Sequence, residues 1–306
     1  MPLRDRLLAL SVAVIWGLNF PAIHLSLAQF PPFFLVALRF GVIAVPTLLL
    51  VPRPAVPWRW VLGYGAGFGV LQFLFLYLAM DTGMPTGLAS LVLQSSAPFT
   101  VVLAGLLLRE RLTARQAAGV AVAVAGLAGI ALHRAELGGG ATLLPVVLTL
   151  CGGMGWALGN LANRRARTTE PFRLMLWMTV VPPVPMLAVS LLVEGPGAVG
   201  TSLSTLAGAR GALALAGLAF TVLIATVVGS GIWTALMSRH PSSTVAPFSM
   251  LVPVVGIAAS WLAFGEPVYV VELACGAAVV AGVLLGSSRP RTGRPATELP
   301  PTAPVR

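Results

Sequence analysis

Apolar residues gather along this chain into runs of about twenty, each ended by proline, glycine or charge. The runs fall near 7–27, 33–51, 60–80, 86–108, 114–132, 143–163, 172–192, 211–237, 244–264 and 268–286. About 20 residues of helix cross the hydrocarbon core of a bilayer. The pattern therefore predicts an all-α polytopic membrane protein with ten transmembrane helices. The first run follows Arg4 and Arg6 as the apolar part of a signal peptide would. Nine further runs come after it, so it reads as an uncleaved first helix.

Composition agrees and removes alternatives. Of 306 residues 57% are hydrophobic and 9% charged, with a mean hydropathy of +0.93, where a soluble domain carries about 25% charge. Ten spans use nearly the whole length, and no soluble catalytic domain fits beside them. The net charge of +10 would suggest nucleic acid in a soluble protein, but the positions of the charges argue otherwise. With the N-terminus inside, 16 of the 19 arginines fall on the inner side: Arg4, Arg6, Arg53, Arg59, Arg109, Arg111, Arg115, Arg164, Arg165, Arg167, Arg173, Arg239, Arg289, Arg291, Arg294 and Arg306. Arg134 and Arg210 fall in outer loops, and Arg39 alone lies within a span. Short arginine-rich loops stay cytoplasmic, so both termini are expected inside.

The chain uses no lysine and is rich in Ala, Gly, Val and Pro, a bias of GC-rich bacterial genomes that points to the inner membrane of a bacterium. The expected partners are the lipid bilayer and a small-molecule substrate, with no nucleic acid, and the expected assembly is a monomer or weak homodimer. Residues 288–306, rich in Pro, Thr and Arg, read as a disordered cytoplasmic tail. Cys151 and Cys275 lie in apolar stretches and suggest neither a disulfide framework nor a metal site. No cofactor is expected.

The chain also repeats itself. Trp16-Gly17-Leu18-Asn19-Phe20 in the first helix answers Trp156-Ala157-Leu158-Gly159-Asn160 in the sixth. Ala97-Pro98-Phe99, Arg109-Glu110-Arg111, Gly119 and Gly126 are answered in order by Val252-Pro253-Val254, Gly265-Glu266-Pro267, Gly276 and Gly282. This divides the chain into five-helix halves, 7–132 and 143–287. Five is odd, so the halves insert in opposite orientations, and inverted repeats favour a substrate site near the midplane between them.

The Trp16–Phe20 stretch, Ala37-Leu38-Arg39-Phe40, the Leu-Gln-Ser-Ser-Ala-Pro of 93–98 and the Glu110 or Glu266 bend before a glycine-rich last helix resemble the EamA-like transporters of the drug/metabolite transporter superfamily. The resemblance covers about 7–287. It implies a ten-helix inner-membrane carrier, often an exporter of amino acids or related metabolites. Its cavity would be lined by helices 1, 3, 4, 6, 8 and 9, with helices 5 and 10 peripheral.

Polar and aromatic residues in mid-span are the candidates for that cavity, because such groups are costly in lipid and face the bundle interior. Trp16 and Asn19 share a face of helix one. Asn19 can donate and accept, though an interhelical bond would use it equally well. Tyr77 in helix three offers a ring and a hydroxyl and is preferred over Gln72. Gln94 and Ser95 precede Pro98, which deprives the carbonyl one turn back of its donor. Pro253 stands at the matching place, and the two prolines are read as hinges about which helices 3, 4, 8 and 9 rock. Trp156 and Asn160 fall on one stripe of helix six, and Thr226, Ser230 and Trp233 on one face of helix eight. Such a site suits a small amphipathic molecule.

No Asp, Glu or His lies in the middle of a span, so facilitated diffusion or exchange is favoured over ion-coupled drug efflux. Arg39 is read as a structural or gating residue, paired with Asp81 or Glu272 at the outer gate or snorkelling, in preference to contact with an anionic substrate group. A membrane-embedded enzyme is the alternative of another class. His24, His133 and His240 are scattered, however, and no metal spacing or Walker loop occurs, so the chain is read as no enzyme.

Overall fold

The computed structural model describes residues 1–109, 113–138, 143–240 and 245–287. Among them every regular element is helical. Eight helices are long and apolar enough to cross a membrane: α1 (Leu3–Leu27), α2 (Pro32–Leu50), α3 (Trp58–Asp81), α4 (Thr86–Leu107), α5 (Ala114–Leu137), α6 (Leu143–Ala166), α7 (Pro171–Val193) and α8 (Ala209–Met237). Two shorter apolar helices follow, α9 (Phe248–Phe264) and α10 (Val270–Gly286). The protein is thus an all-helical, multi-pass membrane protein. The tail at 288–306 and the bend at Glu110 lie outside the described residues.

The helices outrun the apolar segments at several ends: α1 begins at Leu3, α5 continues to Leu137 and α6 to Ala166. The physical reason is that a backbone leaving lipid keeps its internal hydrogen bonds through the charged residues that meet the interface. Arg134 is therefore not in a loop. It stands within α5 and pairs with Glu272 of α10 at 2.6 Å. A short helix, Gly195–Ser204, joins α7 to α8.

α7 is broken. Its first part ends at Met178, the turn Thr179–Pro182 is held by i→i+3 bonds, and the helix resumes at Pro183. Pro182 and Pro183 supply no N–H to continue the first part. Two other helices loosen without breaking, into π-helical turns at Gly65–Leu71 in α3 and Phe220–Gly229 in α8. Two tighten into 3₁₀ turns, at Leu93–Ser95 in α4 and Ala246–Leu251 at the start of α9.

Packing sorts the helices into recurring partners: α1 against α8 and α9, α6 against α3 and α4, α4 against α9, α2 against α7, and α5 against α10. The closest crossings run through glycine. A Cβ on Gly155 would lie 2.7 Å from the Gln72 nitrogen, and one on Gly159 2.7 Å from the Phe68 nitrogen. Small residues at helix crossings gain dispersion contacts that lipid would otherwise supply. Apolar side chains turn outward where no helix covers them: Leu50 is 79% exposed, Leu192 84% and Val270 80%.

One bundle end, where α1, α3, α5, α7 and α9 begin, carries Arg4, Arg6, Arg53, Arg59, Arg109, Arg115, Arg164, Arg165, Arg167, Arg173 and Arg239; the opposite end carries Arg134 and Arg210. Two carboxylates clamp the sparsely charged end. Glu194 accepts hydrogen bonds from the Phe33 and Phe34 N–H groups at 2.7 and 3.1 Å, and Glu266 from those of Thr86 and Gly87 at 2.8 and 2.9 Å. Each meets the bare N–H groups and positive dipole of a helix start, α2 in one case and α4 in the other. At the arginine-rich end Asp5 of α1 meets His240, just beyond α8, at 2.6 Å.

The α5–α10 pair offers a direct check. A Cβ on Gly129 would lie 3.7 Å from the Cys275 Cβ, within the range of about 3.5–4.5 Å found in disulfides. Gly129→Cys is expected to bond to Cys275 on oxidation. The loss of two of the variant's three titratable thiols, Cys151 keeping its own, and a melting temperature in detergent above that of the reduced variant would record a stabilisation of about 2–4 kcal/mol.

Candidate functional site

A cavity of about 410 Å³ occupies the middle of the bundle. That is within the roughly 300–1,000 Å³ of small-molecule sites. Among the described residues its wall comes from α1, α2, α3, α4, α6, α7, α8 and α9, with nothing from α5 or α10. At the arginine-rich end it reaches Asn163, Pro171 and Thr234, near the ends of their helices. The sparsely charged end is shut by small residues. A Cβ on Gly217 of α8 would strike the Ala22 carbonyl of α1, and one on Gly256 of α9 would lie 2.6 Å from Ser90 Oγ of α4.

Of the residues singled out from sequence, Trp16, Asn19, Gln94, Trp156, Asn160, Ser230 and Trp233 line this cavity, as does Arg39. Trp16 stacks at 5.2 Å on Trp233, and its Nε1–H donates at 3.0 Å to the Ala225 carbonyl in the π-helical part of α8. A π turn displaces its carbonyls from the regular ladder, which leaves this one available to a neighbouring helix. Trp156 meets Phe68 edge to face at 5.9 Å, and Asn160 Nδ2 donates to Thr100 Oγ1 at 3.3 Å. Gln94 Nε2 donates at 3.3 Å to the carbonyl of Ser249, one turn before Pro253, so the two tightened turns touch across the midline.

Tyr77 and Ser95 are not in the lining. Tyr77 is 1% exposed and lies behind Arg39, its hydroxyl accepting from Arg39 Nη1 at 2.8 Å. Ser95 is fully buried and faces Gly153 of α6. The 3₁₀ turn at Leu93–Ser95 advances the chain 120° per residue instead of 100°, and Gln94 and Ser96 line the cavity on either side of Ser95. Pro98 and Pro253 are buried in the helix contacts outside the lining. Beyond these the wall contains Gln72, Thr226, Tyr64, Phe68, Phe73, Asn163, Met175 and Met178. Asn163 extends the Trp156–Asn160 stripe by one turn, a signal the spacing carries. Met175 and Met178 come from α7, whose break no periodicity announces.

Among the described residues Arg39 carries the only charge in the lining, and it pairs with neither Asp81 nor Glu272. Its guanidinium donates to Tyr77 Oη and, at 3.1 Å, to Thr226 Oγ1, and it lies 4.0 Å over the Phe73 ring. Asp81 is exposed at the end of α3, and Glu272 is taken by Arg134. The snorkelling alternative does not hold either, since Arg39 is 5% exposed.

Membrane-crossing helices around an amphipathic cavity that reaches one bundle end and is shut at the other define a transporter. The sequence comparisons make the class specific. The profile described as the EamA-like transporter family matches residues 6–132 and again 143–288. The chain belongs to that family, and with it to the drug/metabolite transporter superfamily. It is 39% identical over 290 residues to a probable amino-acid metabolite efflux pump of Salmonella typhimurium LT2, covering 93% of this chain and 95% of that one. It is likewise 39% identical over 270 residues to a probable amino-acid metabolite efflux pump of Escherichia coli K12, covering 87% and 89%. A solved crystal structure at 19% identity shares the fold with a TM-score of 0.60, over 93% of this chain and 97% of its own.

Proposed function

We propose that this protein exports small amphipathic metabolites such as amino acids across the bacterial inner membrane. It works by alternating access through the central cavity, as a facilitator or exchanger. The observation that carries the proposal is the cavity itself, aromatic and neutral-polar apart from one arginine among the described residues, reaching the arginine-rich end and closed at the other. The arginine-rich end is cytoplasmic by the positive-inside rule. A substrate would enter there and leave once the far end parts. The names of the two bacterial relatives support both export and an amino-acid-like cargo.

Ten spans in two inverted halves, 7–132 and 143–287, give this movement its geometry. The irregular turns support the halves. The π turns begin at Gly65 and Phe220, the 3₁₀ turns at Leu93 and Ala246, and left-handed caps close α4 at Arg109 and α9 at Gly265. Exchanging the halves also converts the α1–α8 contact into α6–α3, and α1–α9 into α6–α4. A two-fold relation of this kind lets one bundle end close with the contacts that open the other.

The test is uptake of radiolabelled amino acids into liposomes holding the purified protein, with and without a proton gradient. Saturable uptake without the gradient is expected. Trp16→Ala and Asn160→Ala are expected to lower the rate by about tenfold, equivalent to the loss of about 1.4 kcal/mol of contact, at unchanged protein abundance. Uptake that needs the gradient would replace facilitation by ion coupling. Absence of uptake, or unchanged rates in both variants, would overturn the cargo or the site respectively.

A further inference from the structure

Among the described residues several buried and half-buried charges meet a counter-charge or the start of a helix; Arg39 meets neither. Arg134 meets Glu272 at 2.6 Å, Arg173 meets Glu170 at 2.6 Å and His240 meets Asp5 at 2.6 Å. Arg39, in the middle of a membrane helix and 5% exposed, has two neutral hydroxyls and the face of Phe73. Its Nε, also buried, has no hydrogen-bond partner. Among the described residues no carboxylate lines the cavity it faces. An arginine at the centre of a membrane helix is costly, and in this setting such a group marks a substrate pathway more often than a structural tie. Had Arg39 only a packing role, an acidic partner would lower that cost, as Glu272 does for Arg134.

Two further orphans share the same wall. Asn19 Oδ1 in α1 and Gln72 Oε1 in α3 are buried acceptors without partners. Buried polar atoms are nearly always satisfied, so a cationic fork and two amide oxygens left open around one chamber ask for a ligand that supplies their complements. The complement of a guanidinium is a planar anion able to take two parallel N–H bonds, which is a carboxylate. The complement of the amide oxygens is an N–H cation, and the tryptophan faces of Trp16 and Trp233 favour the same charge.

We infer that Arg39 anchors the carboxylate of the transported molecule while Asn19 and Gln72 receive its ammonium group, so the carrier selects free amino acids over their uncharged-carboxyl derivatives. This rests on the reading of the cavity as an amino-acid export site and adds the groups of the cargo it recognises. Tyr77 and Thr226 act as positioning residues, fixing one edge of the guanidinium and leaving Nε free. Side-chain size is then left to the aromatic and methionine part of the wall.

The experiment measures binding and transport separately. Purified protein in lipid nanodiscs is titrated with a panel of amino acids, each alongside its carboxamide and its deaminated acid, using the fluorescence of the cavity tryptophans; the same compounds are then offered to proteoliposomes. At least one free amino acid is expected to bind, with its carboxamide weaker by about tenfold or more, since a charge-assisted bidentate bond is lost. Arg39→Gln is expected to weaken the free acid by a similar factor and leave the carboxamide unchanged, while Arg39→Lys retains part of the affinity. The comparison of acid with carboxamide on the unaltered protein keeps the test valid if Arg39→Gln fails to fold. Equal binding of acid and carboxamide would overturn the anchor while leaving amino-acid export standing if transport is seen. Arg39-dependent binding of deaminated acids without any binding or transport of amino acids would support the anchor and overturn the cargo. Binding of none of the three series would overturn both.

Discussion

Gly67→Leu is expected to remove most of the folded protein from the membrane, whereas Gly41→Leu leaves its abundance unchanged. At Gly67 a Cβ would run into the Gly159 backbone nitrogen, with the Gly155 carbonyl at 2.9 Å. Two main chains are touching, so no side-chain rotation relieves the clash, and α3 must back away from α6. Overpacking a tight interior costs about 1–3 kcal/mol where side chains can yield and more where they cannot, against a total stability of about 5–15 kcal/mol. Gly41 has nothing within 4 Å of the same atom. Size-exclusion profiles of the two fluorescently tagged variants make the comparison. A monodisperse Gly67→Leu peak of ordinary height would show that the α3–α6 crossing tolerates separation.

The second large effect concerns movement. Gly87 at the start of α4 and Ser260 in α9 face each other at the closed end, and a Cβ on Gly87 would lie 3.5 Å from that of Ser260. That distance is at the lower edge of the disulfide range, about 3.5–4.5 Å. With Cys151 and Cys275 replaced by alanine, the double variant Gly87→Cys and Ser260→Cys is expected to transport when reduced and to fall to background when oxidised, with recovery on reduction. If the closed end must part for the cargo to leave, a covalent tie across it stops the cycle. A cross-linked protein that transports at its reduced rate would eliminate alternating access at this end. The glycine position is tight, with Ile257 Cα at 2.9 Å from the added atom, so the reduced variant serves as the reference.

Much of this architecture is written locally in the chain. Helix α2 occupies Pro32–Leu50 where the apolar run is 33–51, and α6 begins at Leu143 as its run does, because lipid leaves the backbone no alternative to helix. The Trp156–Asn160 stripe and the Trp16–Asn19 pair face the cavity because residues three and four apart share a helix face whatever surrounds it. Features that depend on a second helix are less legible. The spacing of Tyr77 gives no hint that Arg39, 38 residues earlier, donates to its hydroxyl, nor that Thr226, 187 residues beyond Arg39, accepts from the same guanidinium. Ser95 misses the cavity through a local change of helical pitch. The break in α7 is signalled only by Pro182 and Pro183, which an apolar run absorbs without trace.

The two clamping carboxylates also bear on how the molecule is made. Glu194 comes 160 and 161 residues after the N–H groups it receives, and Glu266 179 and 180 after its own. At about 5–20 residues per second of synthesis, α2 and α4 wait on the order of ten to thirty seconds in the bilayer before their first turns are capped. Until then the nascent first half holds its helix starts at the water interface, and arrival of the second half draws them into register. Assembly therefore completes from the late segments back onto the early ones, and a ribosome stalled before Glu266 would leave the start of α4 open to membrane quality control.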